Sequence, residues 1–62
     1  MKTITLEDFN GNKDNYYNFK NHIELAKKAL HTASLYVLDY SPKFFDALDE
    51  AIEDLETINF EN

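Results

Sequence analysis

Tyr16, Phe19, Ile23, Ala26, Leu30, Ala33 and Val37 follow one another at steps of 3, 4, 3, 4, 3 and 4, with no glycine or proline between them. A strand alternates every two residues and cannot hold such a stripe. An α-helix returns to one face every 3.6 residues and gathers the seven side chains into a packing seam. The spacing predicts a helix over 14–39, N-capped by Asp14 or Asn15 and about 38 Å long. One seam buries nothing by itself, so the chain must supply an element to cover it.

Tyr40-Ser41-Pro42 supplies the turn. Proline disfavours helical geometry at the residue before it and suits the first helical position, which leaves the Ser41 hydroxyl free to cap the next amides. Tyr40 and Phe45 then fall at the positions of a hydrophobic staple. So short a connection predicts an antiparallel hairpin with a second helix over 42–58. At about 100° per residue, Phe44, Phe45, Ala47, Leu48, Ala51, Ile52, Leu55 and Ile58 fill about 160° of that helix. Asp46, Asp49, Glu50, Glu53, Asp54 and Glu56 fill an arc of similar width opposite them.

Helix 1 carries a second stripe, Leu25, Ala29, Thr32 and Tyr36, about 110° around from the seam. One partner helix cannot cover both. A homodimer closing a four-helix bundle through Leu25, Ala29 and Tyr36 satisfies the pattern. The competing solution is a monomer whose N-terminal arm, through Ile4, Leu6 and Phe9, closes the core.

That arm, residues 1–13, reads as a short strand or extended segment over 2–6 followed by a break at Asn10-Gly11-Asn12. A rival reading makes the break a hairpin turn and Tyr16 to Phe19 the returning strand. The fold class expected is all-α with a short N-terminal strand, in one domain spanning 1–62.

A chain of 62 residues buries only about 60% of the surface its unfolded form exposes, so it needs a staple or an assembly. Cysteine is absent, which removes disulfides and thiolate metal sites and fits a reducing, cytoplasmic setting. Neither a signal-peptide core nor a membrane-spanning run is expected from the pattern. With 44% hydrophobic and 15% aromatic residues the chain is too apolar for a disordered tail.

Charge is distributed unevenly. Residues 1–13 and 14–40 are each neutral, and residues 41–62 carry the whole net charge of −6. The six carboxylates of helix 2 lie along about 15 Å, one per about 2.5 Å against one charge per about 1.7 Å of duplex DNA. Such an array is attracted to basic surfaces that otherwise hold nucleic acid. Ion pairs from Lys27 and Lys28 to Glu53 and Asp54 across the hairpin are expected to neutralise part of it. The competing reading is a solvated face that aids solubility.

Catalysis is not expected. A convex helix does not push paired carboxylates to different pKa values. His22 and His31 are nine positions apart, His22 edging the core and His31 in solvent, so they do not share a metal. No phosphate loop, calcium loop or nucleophile–base pattern is present, and neither a cofactor nor a small-molecule substrate is expected.

The function expected is an inhibitor or regulator docking Asp46, Asp49, Glu50, Glu53 and Glu56 on a basic protein surface. Small acidic helical proteins with that role are often phage or mobile-element encoded. The alternative is a homodimeric nucleic-acid-binding or structural module that uses Lys20, Lys27, Lys28 and His31 on helix 1. Tyr16, Tyr17, Phe19 and Tyr36 are open to reading as a stacking platform, but core packing explains Tyr16 and Phe19 better, because they sit in the seam. In length and hairpin layout the chain resembles the plasmid-encoded RNA-binding Rop proteins, acidic dimers of two-helix hairpins. The likeness is one of layout and carries no residue across.

Overall fold

A computed structural model describes residues 2–61 as an antiparallel pair of packed helices with a two-stranded parallel ribbon at its open end. In chain order these are β1 (Lys2–Ile4), a 3-10 turn (Leu6–Phe9), α1 (Lys13–Val37), α2 (Pro42–Glu56) and β2 (Ile58–Phe60). The molecule measures 44 × 21 × 15 Å.

The N-cap of α1 is Asn12 rather than Asp14 or Asn15. Asn10 and Gly11 take positive φ of 55° and 79°, which turns the chain sharply and leaves Asn12 extended at the mouth of the helix. Its side-chain oxygen accepts the Asn15 N–H at 3.1 Å. Tyr16 to Phe19 lie within this helix, which rules out the rival hairpin. At the far end α1 stops at Val37, two residues short of the expected limit, and the Tyr40 and Ser41 amides both donate to the Val37 carbonyl at 3.0 Å.

The seam holds except at one position. Ala33 is exposed and Ser34 is buried in its stead, 4% exposed. Ser34 is 18 residues beyond Tyr16, five full turns at about 3.6 residues per turn, and so lies directly over it, whereas the strict 3-4 repeat lands on Ala33, about 100° away. The Ser34 hydroxyl is satisfied by donating to the His31 carbonyl at 2.6 Å.

Ser41 caps α2 as its sequence implies, accepting the Phe44 N–H at 3.3 Å with Pro42 in the first turn. The staple does not close, because Tyr40 stands 86% exposed while Phe45 turns inward. Helix 2 also ends earlier than 58. Thr57 closes it, its hydroxyl donating to the Asp54 carbonyl at 2.7 Å, and Ile58 to Phe60 leave the helix as a strand. Thr57, Ile58 and Asn59 are weak helix formers, and β1 offers them an unpaired edge. The two strands pair in parallel with Lys2 opposite Ile58, Thr3 opposite Asn59 and Ile4 opposite Phe60, and the Glu61 N–H donates to the Ile4 carbonyl at 3.0 Å. Leu6, expected in the strand, opens the 3-10 turn.

This ribbon carries Phe60 back onto the start of α1. Phe60 packs against Tyr16 and Phe19 with ring centroids 6.1 and 5.9 Å apart, and Phe9 packs on the same two rings at 5.7 and 5.5 Å. Tyr16 is 4% exposed and its phenol donates to the Glu61 carbonyl. The arm therefore covers the first turns of α1 that outlast α2, and it does not lie across the Leu25–Tyr36 stripe.

Candidate functional site

The acidic face follows from how α2 seats itself. Phe45, Leu48, Ala51, Ile52 and Leu55 are half-buried against α1, which turns Asp46, Asp49, Glu50, Glu53, Asp54 and Glu56 outward, all six exposed. Two apolar residues expected to pack, Phe44 and Ala47, are also exposed, Phe44 by 62%.

The expected cross-hairpin pairs do not form. Among the described residues the one ion pair within 4 Å joins Lys27 to Glu24 at 3.0 Å, inside α1. Glu53 and Asp54 point more than about 100° away from the face that meets α1, beyond the reach of Lys27 and Lys28. Glu56 lies nearer, on a shallow groove it shares with Ile52, Lys27, Lys28, His31 and Thr32, yet among the described residues no cation stands within 4 Å of it.

The carboxylates also oppose one another. Six pairs stand three or four residues apart: 46 with 49, 46 with 50, 49 with 53, 50 with 53, 50 with 54, and 53 with 56. Each like-charge pair of this spacing costs an exposed helix about 0.2–0.5 kcal/mol. Glu53, Asp54 and Glu56 sit in the last turns, where the helix dipole is itself negative, and no basic residue stands in the last turn to offset it. The face is therefore an uncompensated electrostatic load on a short helix, relieved by any surface that brings cations to it.

The residues of the alternative reading are dispersed. Tyr16 and Phe19 belong to the aromatic cluster, Tyr17 meets Tyr16 edge-on at 5.2 Å, and Tyr36 stands about 30 Å of helix away from Tyr16. The Lys20 ammonium lies 5.9 Å from the centre of the Phe60 ring, and Lys27 is taken by Glu24. His22 is exposed rather than edging the core, and its Nδ1 lies 2.7 Å from the Asn18 carbonyl of its own helix. Among the described residues no three His, Asp or Glu side chains converge to hold a metal.

No protein-family model, curated protein or solved structure matches the chain. No helix among the described residues is long and apolar enough to cross a membrane.

The stripe assigned to assembly does stand together and uncovered. Leu25 is 57% and Tyr36 79% exposed, with Ala29 and Thr32 exposed between them. The helical spacing puts Ala33, Phe44 and Ala47 in the hairpin interior, and all three are exposed. The signal that places the first outside is the heptad drift, which the 3-4 spacing by itself conceals.

Proposed function

We propose that this chain is a small acidic protein-binding module, an inhibitor or regulator, that docks the negative face of α2 on a basic protein surface of the kind that otherwise holds nucleic acid. The observation that supports it is the exposed stack of six carboxylates with no cation within 4 Å among the described residues. Asp46, Asp49, Glu50, Glu53 and Glu56 make the contact. The proposal includes a cytoplasmic setting, a phage or mobile-element origin, and a homodimer that completes a four-helix bundle through Leu25, Ala29 and Tyr36. In that dimer the acidic faces stay outward.

The test uses the chain as bait in a lysate of its native host, beside the variant Asp49→Lys with Glu53→Lys. The unmodified chain should retain a basic nucleic-acid-binding protein that the variant loses, and retention should fall steeply as salt rises through the screening range. Equal retention by both chains, with circular dichroism showing both folded, overturns the proposal.

A further inference from the structure

The hairpin is too thin and too open to be a finished domain. A folded monomer of 7.3 kDa exposes about 4,200 Å², whereas this one exposes 5004 Å². The surplus of about 800 Å² is what each partner contributes to a standard protein–protein interface. The radius of gyration is 14.2 Å, against about 10.6 Å for a compact chain of this length. The 15 Å thickness is that of a single helix layer, and a stable core needs two.

Charge shows which face is unfinished. Beyond the first turn, Lys20, Glu24, Lys27 and Lys28 all fall within about 100° of α1, leaving the rest of its circumference without a Lys, Arg, Asp or Glu. The groove between Lys27 and His31 on α1 and Ile52 and Glu56 on α2 marks one side of the hairpin. The opposite side then sets the exposed edge of α2, Phe44 and Ala47, beside Tyr36 and Ala33 of α1. Counting back from the turn, Tyr36 is level with Phe44, Ala33 with Ala47, and Ala29 with Ala51. Leu25, Ala29, Ala33, Tyr36, Phe44 and Ala47 therefore form one continuous, uncharged surface to which both helices contribute.

We propose that this surface is covered by a second copy of the chain, stacked face to face and antiparallel, with α1 on α1 and α2 on α2. The inference rests on the dimeric reading given above and extends it to α2 and to an orientation. Two copies that each carry −6 can meet only where neither presents net charge, and this face qualifies. It is also self-complementary about one level. A two-fold axis near residue 31 of α1 lays Tyr36 on the second copy's Leu25 and the small side chain of Ala29 on the second copy's Ala33. The same axis crosses α2 near residue 49 and brings Lys43, the one cation of that helix, to the second copy's Asp54. A parallel stack of α1 on α1 and α2 on α2 through this same face would need a mirror operation, which a chiral chain does not allow.

Sedimentation velocity on the full chain tests this, with Ala29→Lys and Ala47→Lys as variants. Both sites are exposed, so circular dichroism should show both variants as helical as the parent. Each adds a positive charge, which lowers net repulsion, so any loss of dimer reports the buried site. The expected result is a dimeric parent and a dissociation constant raised by on the order of a hundredfold or more in both variants. A monomeric parent overturns the dimer and this arrangement together. A dimeric parent that Ala29→Lys disrupts and Ala47→Lys does not overturns the arrangement and leaves the dimer through α1. Orientation is read by oxidising an equal mixture of Leu25→Cys and Tyr36→Cys chains, which should crosslink to each other. Crosslinking of Tyr36→Cys only to itself overturns the antiparallel stack.

Discussion

The two ends of the hairpin are built on opposite plans. At the open end, Phe9, Tyr16, Phe19 and Phe60 close on one another within about 6 Å, and the parallel ribbon ties the two termini across them. At the turn, Tyr36, Leu38, Tyr40 and Phe44 are exposed by 79, 47, 86 and 62%. Composition does not separate the ends, since both are rich in large apolar side chains. Cover does. α1 exceeds α2 by ten residues, and the terminal segments fold over that surplus, whereas no third element reaches the turn. A small chain can thus finish one end with its own termini and leave the large apolar side chains of the other uncovered.

The sharpest way to break this contrast is to remove one ring from each end. Phe60→Ala should lower unfolding free energy by about 2–3 kcal/mol, less than a fully buried phenylalanine would lose because the ring is only half-buried. That is a large share of what a 62-residue core supplies. Tyr40→Ala should change it by less than about 0.5 kcal/mol. Urea titrations followed by circular dichroism measure both, and equal losses would mean that the turn end is as sealed as the other.

How far this contrast could be read in advance depends on where the constraints lie along the chain. Periodicity is local, so the seam from Tyr16 to Val37 and the amphipathic α2 were legible to within a residue or two. The Ser41-Pro42 start was equally plain, because cap and proline act on adjacent residues. The pairing of β1 with β2 was not, since it joins opposite ends of the sequence and each strand has only three residues to advertise it. Phe60 illustrates the cost. Its neighbours Ile58 and Asn59 fit the tail of a fraying helix, and only the distant edge of β1 makes them a strand. At the acidic face, the outward set was legible, and the same rotation turns Glu53 and Asp54 away from Lys27 and Lys28, so the cross-hairpin ion pairs fail because they were expected from level along the helices alone.

A smaller effect sharpens the account of the turn. Ser41→Ala removes the side-chain acceptor for the Phe44 amide and should cost about 1 kcal/mol. Because the staple is open, no packing at Tyr40 adds to the loss. Combining Ser41→Ala with Tyr40→Ala should therefore cost no more than the cap substitution by itself. A Tyr40→Ala loss of its own, combined with a double variant that loses clearly less than the sum of the two, would show that Tyr40 supports the cap after all, and thermal melts of the three variants decide it.

The finest test returns to the sealed end and uses the Tyr16 phenol as its probe. Burial raises its pKa above the ordinary 10.0, and Tyr17 and Glu61 add to the rise. Between 10.0 and the raised value the unfolded chain has released this proton and the native one still holds it, so unfolding releases a proton. Stability from this group is then complete below the ordinary tyrosine value and declines as pH climbs through the window, until the folded phenol itself ionises. Tyr16→Phe keeps the ring, loses the hydrogen bond to the Glu61 carbonyl and cannot titrate. The parent's melting temperature should therefore fall more steeply than the variant's from about pH 9 to 11, with the other tyrosines and the lysines cancelling in the comparison. Parallel curves would mean that water reaches the phenol in the native state, and the knot of Phe9, Tyr16, Phe19 and Phe60 would then be no better closed than the turn.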